Sequence, residues 1–246
     1  MNRGRPGSMP SEDLPPPGRS QSSARDATAR RFLSLSSGLV SDALGKCGGM
    51  DHGIHCRSAA TSMAGPAFTV RVHVGDILMV GKAVSECPPR HVLVIDGRGE
   101  PNTALWGGII TRAARRKGLA GVVIDGAIRD SAEIAQDNLP VFARSVVPNA
   151  GGAEYVGELQ VPVQCGGQPV RPGDWIVGDA DGATAVPAER VEETLRSAEH
   201  LLAVEIRITE AVLRGEDLGA LLRYDEALDR KRSAGLLPQL RYLERD

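Results

Sequence analysis

WGGIITRAARRKGLAGVVIDGAIRDSAEI, residues 106–134, is the stretch whose reading decides the fold. At its centre, LAGVVID (119–125) is a short continuous apolar run, the pattern of a strand buried on both faces. Before it, residues 103–117 place Leu105, Ile109, Ile110, Ala113 and Ala114 on one side of an amphipathic helix, with Gly118 as its stop. After it, GAIR (126–129) reads as a loop, and Asp130 opens a short helix to about Asp137. Further out, HVLVID (91–96) is a second buried-type strand, GRGEPN (97–102) a loop, and Leu139 to Ala143 a third strand. Strands alternating with helices need right-handed crossovers, so an α/β fold with a partly parallel sheet is expected.

The flanks complete this frame. Helical character begins at Ala27 through ATARRFLSLS, and a short helix follows at Ser41, Asp42, Ala43 and Leu44. PAFTVRVHV (66–74) alternates like a strand. Asp76 can cap the helix ILMVGKAVSE, which Pro88 and Pro89 terminate. Residues 161–187 are short alternating runs cut by GG, RPGD and DADG, the signature of hairpins. Two helical segments, 188–214 and 217–232, close the chain. Residues 1–26 are dominated by Pro, Gly, Ser and charge and are expected to form a disordered tail. Three parts follow: this tail, an α/β domain over 27–187, and a C-terminal helical extension over 188–246.

Composition narrows the function. The 246 residues are 41% hydrophobic, enough for one large core. A net charge of -2 with only 3% aromatics argues against nucleic acid as a partner. No apolar run is long enough for a membrane span, and no signal-peptide pattern precedes the domain. Cys47, Cys56, Cys87 and Cys165 form no CxxC pair, which suits reduced thiols in a cytoplasmic protein.

The central stretch also holds the chemistry. Twenty residues separate Gly108 from the Arg129-Asp130 pair, and Glu133 follows three after Asp130. A helix starting near Leu105 presents unpaired N–H groups, and Gly107 and Gly108 let a carboxylate approach them. The same glycines can also serve tight packing on the sheet. Arg129 and Asp130 lie past the carboxyl end of a strand, where α/β ligands commonly sit. An Arg fork grips an oxyanion bidentately. Asp130 and Glu133 share one helical face and can hold Mg²⁺ or Mn²⁺ with several waters retained. A salt bridge plus a capping Asp is the purely structural alternative.

These residues follow the G-X20-R-D-X2-E/D pattern of the RraA-like family, also called the HMG/CHA aldolase (4-hydroxy-4-methyl-2-oxoglutarate aldolase) family. The chain resembles it over roughly 35–190, through SDAL (41–44), GPAFTV (65–70), VLVIDG (92–97), PVFAR (140–144) and RPGDWIVGDADG (171–182). The resemblance implies a swivelling β/β/α-type core in a homotrimer or hexamer, with sites between subunits. It implies a metal-dependent lyase that cleaves a 4-hydroxy-2-oxo acid to pyruvate by retro-aldol chemistry, with oxaloacetate decarboxylation as a related activity. On that pattern Asp130 binds the metal, Arg129 contacts the substrate oxyanion, and the amides near Gly108, Ile109 and Ile110 receive the pyruvate carboxylate. The chain departs from several aldolases of the family, which carry Asp at the position of Gly108; Glu133 stands as the compensating carboxylate. The family also implies a different class of function, a non-catalytic regulator that binds a ribonuclease assembly.

Other groups are weaker. A Schiff-base route needs a buried lysine, and of Lys46, Lys82, Lys117 and Lys231 only Lys82 is a rival. Asp51, His52 and His55 read as a loop without a third metal ligand. Asp179 and Asp181 read as turn formers, Glu205 as a solvated helix face, and Arg144 as the partner of a surface acid.

Overall fold

The structure is a computed structural model that describes residues 19–234. In chain order it contains α1 (Arg19–Leu33), α2 (Ser37–Ala43), β1 (His55–Cys56), β2 (Met63–Arg71), α3 (Leu78–Glu86), β3 (Val92–Trp106), α4 (Gly108–Lys117), β4 (Gly121–Ile128), α5 (Ser131–Ile134) and β5 (Val141–Val146). Then follow β6 (Glu158–Leu159), β7 (Val163–Cys165), β8 (Gln168–Val170), β9 (Trp175–Asp179), β10 (Gly182–Val186), α6 (Val191–Leu213), α7 (Leu218–Leu221) and α8 (Tyr224–Ser233). The main sheet runs β1-β5-β4-β3-β2-β9-β10, with β6 on β2. Its four central strands, β5, β4, β3 and β2, are parallel neighbours, and the outer pairings are antiparallel.

The apolar runs form these strands because both faces of the sheet are covered. Successive side chains alternate across a strand. Leu93, Ile95, Val122 and Ile124 pack on the face covered by α3 and α4. Val92, Val94 and Val123 enter a second core with Phe142, Val163 and Val170. A third core joins Phe32, Leu39 and Trp175 to Val191 and Leu195, so the first turns of α6 belong to the body of the fold. Phe142 is fully buried, and a Cβ added at Gly178 would come within 3.0 Å of its ring. Phe142→Ala is therefore expected to cost about 3–5 kcal/mol, read as a fall in the denaturant midpoint at constant m.

Several boundaries differ from the sequence reading. Residues 97–106 are strand, where a loop and the first turn of a helix were expected; β3 continues through three register shifts to Trp106. The partners are non-local: β4 itself continues to Ile128 in place of the expected GAIR loop, and Ala104 exchanges backbone bonds with Asn149 and Gly151 at 2.8 and 3.0 Å. This ladder overrides the turn-forming composition of GRGEPN. Leu105 thus sits on β3, and α4 starts at Gly108. The helix after Asp130 is one turn, Ser131–Ile134, and the third strand is shifted to Val141–Val146. The last helical segment is split into α7 and α8. The tail expected over 1–26 lies outside the described residues up to position 18, and α1 already begins at Arg19.

Candidate functional site

The chain passes from β3 into α4 and from β4 into α5 at neighbouring points, and the site is built between these two exits. The backbone N–H of Arg129 donates to the Trp106 carbonyl at 2.9 Å, tying the two exits together. Trp106 Nε1 donates to Thr111 Oγ1 at 2.7 Å, and that hydroxyl donates to the Gly107 carbonyl at 2.8 Å, which fixes the first turn of α4. Asp130 follows in the left-handed region, φ 57° and ψ 37°. Asp is one of the few non-glycine residues that enter this region readily.

That backbone turn aims the Asp130 carboxylate at α4 rather than at its own helix. Its Oδ2 accepts the Gly108 N–H at 2.9 Å, and Asp130 makes no side-chain cap on α5. An anion at a helix N-terminus is favoured by the free N–H groups and the helix dipole. The Arg129 Nε stands 3.7 Å from the same oxygen. Neither glycine is needed for its dihedrals: Gly107, at φ -161°, is ordinary extended backbone. They are needed for space. A Cβ at 107 would lie 2.7 Å from Asp130 Oδ2, and a Cβ at 108 would overlap Glu133 Oε2. The carboxyl groups of residues 130 and 133 thus crowd the bare start of α4 from two sides.

A cavity of about 270 Å³ opens beside them, lined by Gly107, Ile109, Ile110, Arg129 and Asp130 together with Ile77, Gly81, Ala104, Leu105, Trp106 and Ala150. It is small and mostly apolar with a few convergent charges, as suits a compact ligand. Asp76 directly precedes Ile77 of this lining. Burial raises the Asp76 carboxyl, but N–H donors from Glu154, Leu78 and Tyr155 outweigh this and leave its pKa below the ordinary carboxylate value. The capping expected of Asp76 is therefore present toward Leu78, at 2.9 Å, and the same carboxylate also anchors residues 154 and 155.

The expected site residues are brought together, with two differences. The Gly108 amide, expected to receive a substrate carboxylate, receives Asp130. Glu133 does not line the cavity; its Oε2 is held by Arg112 at 2.7 Å on the outer side of α4. Arg112 escaped the sequence reading, although it lies one helical turn after Gly108 on the same face. Among the described residues no three His, Cys, Asp or Glu side chains group as metal ligands. A cation here would rest on Asp130 and Glu133 with water completing its shell, the manner in which Mg²⁺ is usually held. Asp130 Oδ2 and Glu133 Oε2 flank the bare start of α4, one beside each glycine, and are the carboxylates that would hold such an ion.

The remaining candidates are structural. Arg144 pairs with Asp51 at 2.9 Å and with the buried Asp125 at 2.7 Å. Burial lowers the Arg144 pKa, but these two acids more than reverse that and keep the guanidinium charged. Asp179 accepts the N–H and hydroxyl of Ser37 and so anchors α2. His52 is almost wholly in solvent, Lys82 pairs with Glu86, and Glu205 is exposed. No helix of the described residues is long and apolar enough to cross a membrane.

Known proteins place this α/β architecture. The family model described as RraA-like, Aldolase/RraA, matches residues 38–185. A protein of Halalkalibacterium halodurans named "Putative 4-hydroxy-4-methyl-2-oxoglutarate aldolase" is 39% identical over 168 residues, 68% of this chain and 80% of that protein. The crystal structure of an uncharacterized protein from Pseudomonas syringae pv. tomato superposes with a TM-score of 0.70 at 28% identity, covering 80% of this chain and 96% of that one. The RNA-processing inhibitor RraA from Thermus thermophilis superposes with a TM-score of 0.57 at 32% identity, covering 61% of this chain and 92% of its own. The chain belongs to the RraA-like family.

Proposed function

We propose that this chain is a divalent-metal-dependent lyase that cleaves a 4-hydroxy-2-oxo acid to pyruvate by retro-aldol chemistry, with oxaloacetate decarboxylation as a related activity. The observation that carries this reading is the carboxylate pair Asp130 and Glu133 gathered at the start of α4, with the Arg129 guanidinium 3.7 Å from Asp130. The H. halodurans relative, named for the same reaction, supports it. Asp130 and Glu133 would hold Mg²⁺ or Mn²⁺. The ion supplies Lewis-acid stabilisation of the negative charge that a 2-oxo acid acquires as its carbon–carbon bond breaks. Arg129 binds the oxyanion of the substrate and adds a fixed positive charge where negative charge develops. Leu105, Ile109 and Ile110 line the cavity with apolar surface and exclude water from the reacting end. Ile109 is 78% exposed, and a second copy in a homotrimer or hexamer would cover it.

The test is pyruvate release from 4-hydroxy-4-methyl-2-oxoglutarate and from oxaloacetate, with Mg²⁺ or Mn²⁺ and with chelator. Release that disappears with chelator and returns with metal is expected. No release from either substrate under any metal would leave a binding role of the kind for which the Thermus RNA-processing inhibitor is named. Gly108 gives a finer check. Gly108→Ala introduces no dihedral strain and is a better helix former, so stability should change by less than about 1 kcal/mol. The new methyl displaces the Glu133 carboxylate, and a tenfold fall in turnover with a weaker Mn²⁺ affinity is expected, on the order of the cost of a misplaced catalytic group.

A further inference from the structure

A larger cavity, about 870 Å³, lies at the opposite, amino-terminal end of the parallel strands. It is a framed gap rather than a packing defect. One wall is the loop before β3. Pro88 and Pro89 stiffen this loop, and Arg90 is held in the left-handed region at φ 64°. The Arg90 N–H donates to the Gly118 carbonyl at 2.7 Å, and only a glycine at 65 lets the Arg90 carbonyl approach β2. The other wall is α1. It is held across the gap by an Arg90–Asp26 ion pair and by Phe32 against Trp175 with ring centres 5.4 Å apart, and onto α6 by Arg31 Nε to Glu199 at 2.7 Å.

The lining has two chemical halves. Pro66, Pro88, Leu119, Leu33 and Trp175 give it an apolar floor. Arg25, Arg30 and His91 stand at the same cavity, and the one acid among its described lining residues, Asp26, is already committed to Arg90. The His91 Nδ1 lies 3.1 Å from the Pro89 carbonyl, which can only accept, so that nitrogen carries the proton. Burial, with the nearby charge of Arg25, holds the His91 pKa below its ordinary value. An anion would relieve that excess of positive charge, and an apolar body would cover the floor. The volume is within the range of pockets that enclose a small ligand.

We propose that this cavity is a second ligand site, for an amphipathic monoanion whose apolar body lies on Trp175 and the prolines and whose charged head meets Arg25 and Arg30. It is independent of the reaction proposed above, because none of its lining belongs to the Asp130 cavity. The two tryptophans separate the two places: Trp106 lines the Asp130 cavity and Trp175 lines this one.

The probe is sodium decanoate below its micelle concentration, titrated into full-length Trp106→Phe protein with Trp175 fluorescence as readout, and into the unaltered chain by calorimetry. Saturable binding of one decanoate per chain is expected. Decanol, which lacks the charge, and butyrate, which lacks the tail, should each bind at least about tenfold more weakly. Arg25→Ala with Arg30→Ala should weaken decanoate about fivefold or more, since each exposed charge contributes modestly. Ala29→Phe, which fills the cavity from α1, should abolish binding; should that variant misfold, Arg30→Glu on the exposed face serves in its place. Asp130→Asn should leave decanoate binding unchanged. Equal affinity for decanol and decanoate, unchanged affinity in the double arginine variant, or loss of binding in Asp130→Asn would each overturn the assignment.

Discussion

Asp130→Asn is expected to lower metal-dependent pyruvate release by about a thousandfold, some 4 kcal/mol of transition-state stabilisation, with the fold intact. Asn tolerates the left-handed backbone that residue 130 adopts, and its amide oxygen can still accept the Gly108 N–H. What it loses is charge. A neutral amide beside Arg129 neither anchors a divalent cation nor balances the guanidinium. Asp130→Ala should be as inactive and also less stable by about 1 kcal/mol, because alanine pays the steric penalty of that backbone. Turnover at saturating Mn²⁺, Mn²⁺ calorimetry and thermal melts together check this. Turnover at the parent rate in Asp130→Asn would remove the metal from the reading.

Arg129→Ala is the second large effect, a fall of roughly a hundred- to a thousandfold in kcat, the size seen when one fixed donor to a developing oxyanion is lost. Stability should hardly move, since the side chain is 45% exposed and the bond that ties residue 129 to Trp106 belongs to its backbone. Arg129→Lys should recover only part of the loss: it restores the charge without the planar fork. Steady-state kinetics on all three proteins decide it. A change confined to KM would make Arg129 a substrate anchor rather than a stabiliser of the reacting charge.

The sheet and the site were legible to different depths. The apolar runs at 92–95 and 121–124 announce buried parallel strands because both faces of the sheet need apolar side chains there. The extension of β3 through Gly97, Gly99 and Pro101 carried no such signal. It forms because 126–128 and 149–151 supply partners from elsewhere in the chain. At the site, the spacing from Gly108 to Arg129, Asp130 and Glu133 pointed to one cluster, and those groups do meet. The direction of the Asp130 carboxylate was hidden in a single backbone dihedral pair. Arg112 was hidden for another reason: its partner Glu133 is on a different helix, and pairing across helices leaves no periodicity to read. The early start of α1 was masked by its polar composition, which reads as a tail until helix propensity is weighed against the scarcity of apolar residues.

The empty Cβ position at Gly108 makes residues 108 and 133 rivals. An aspartate at 108 would put its side chain where Glu133 already reaches, so in this backbone the two acids cannot both keep their places. Gly108→Asp alone should evict Glu133 and leave two acids repelling each other. The same change joined to Glu133→Ala should simply relocate the second negative charge from one helix to its neighbour.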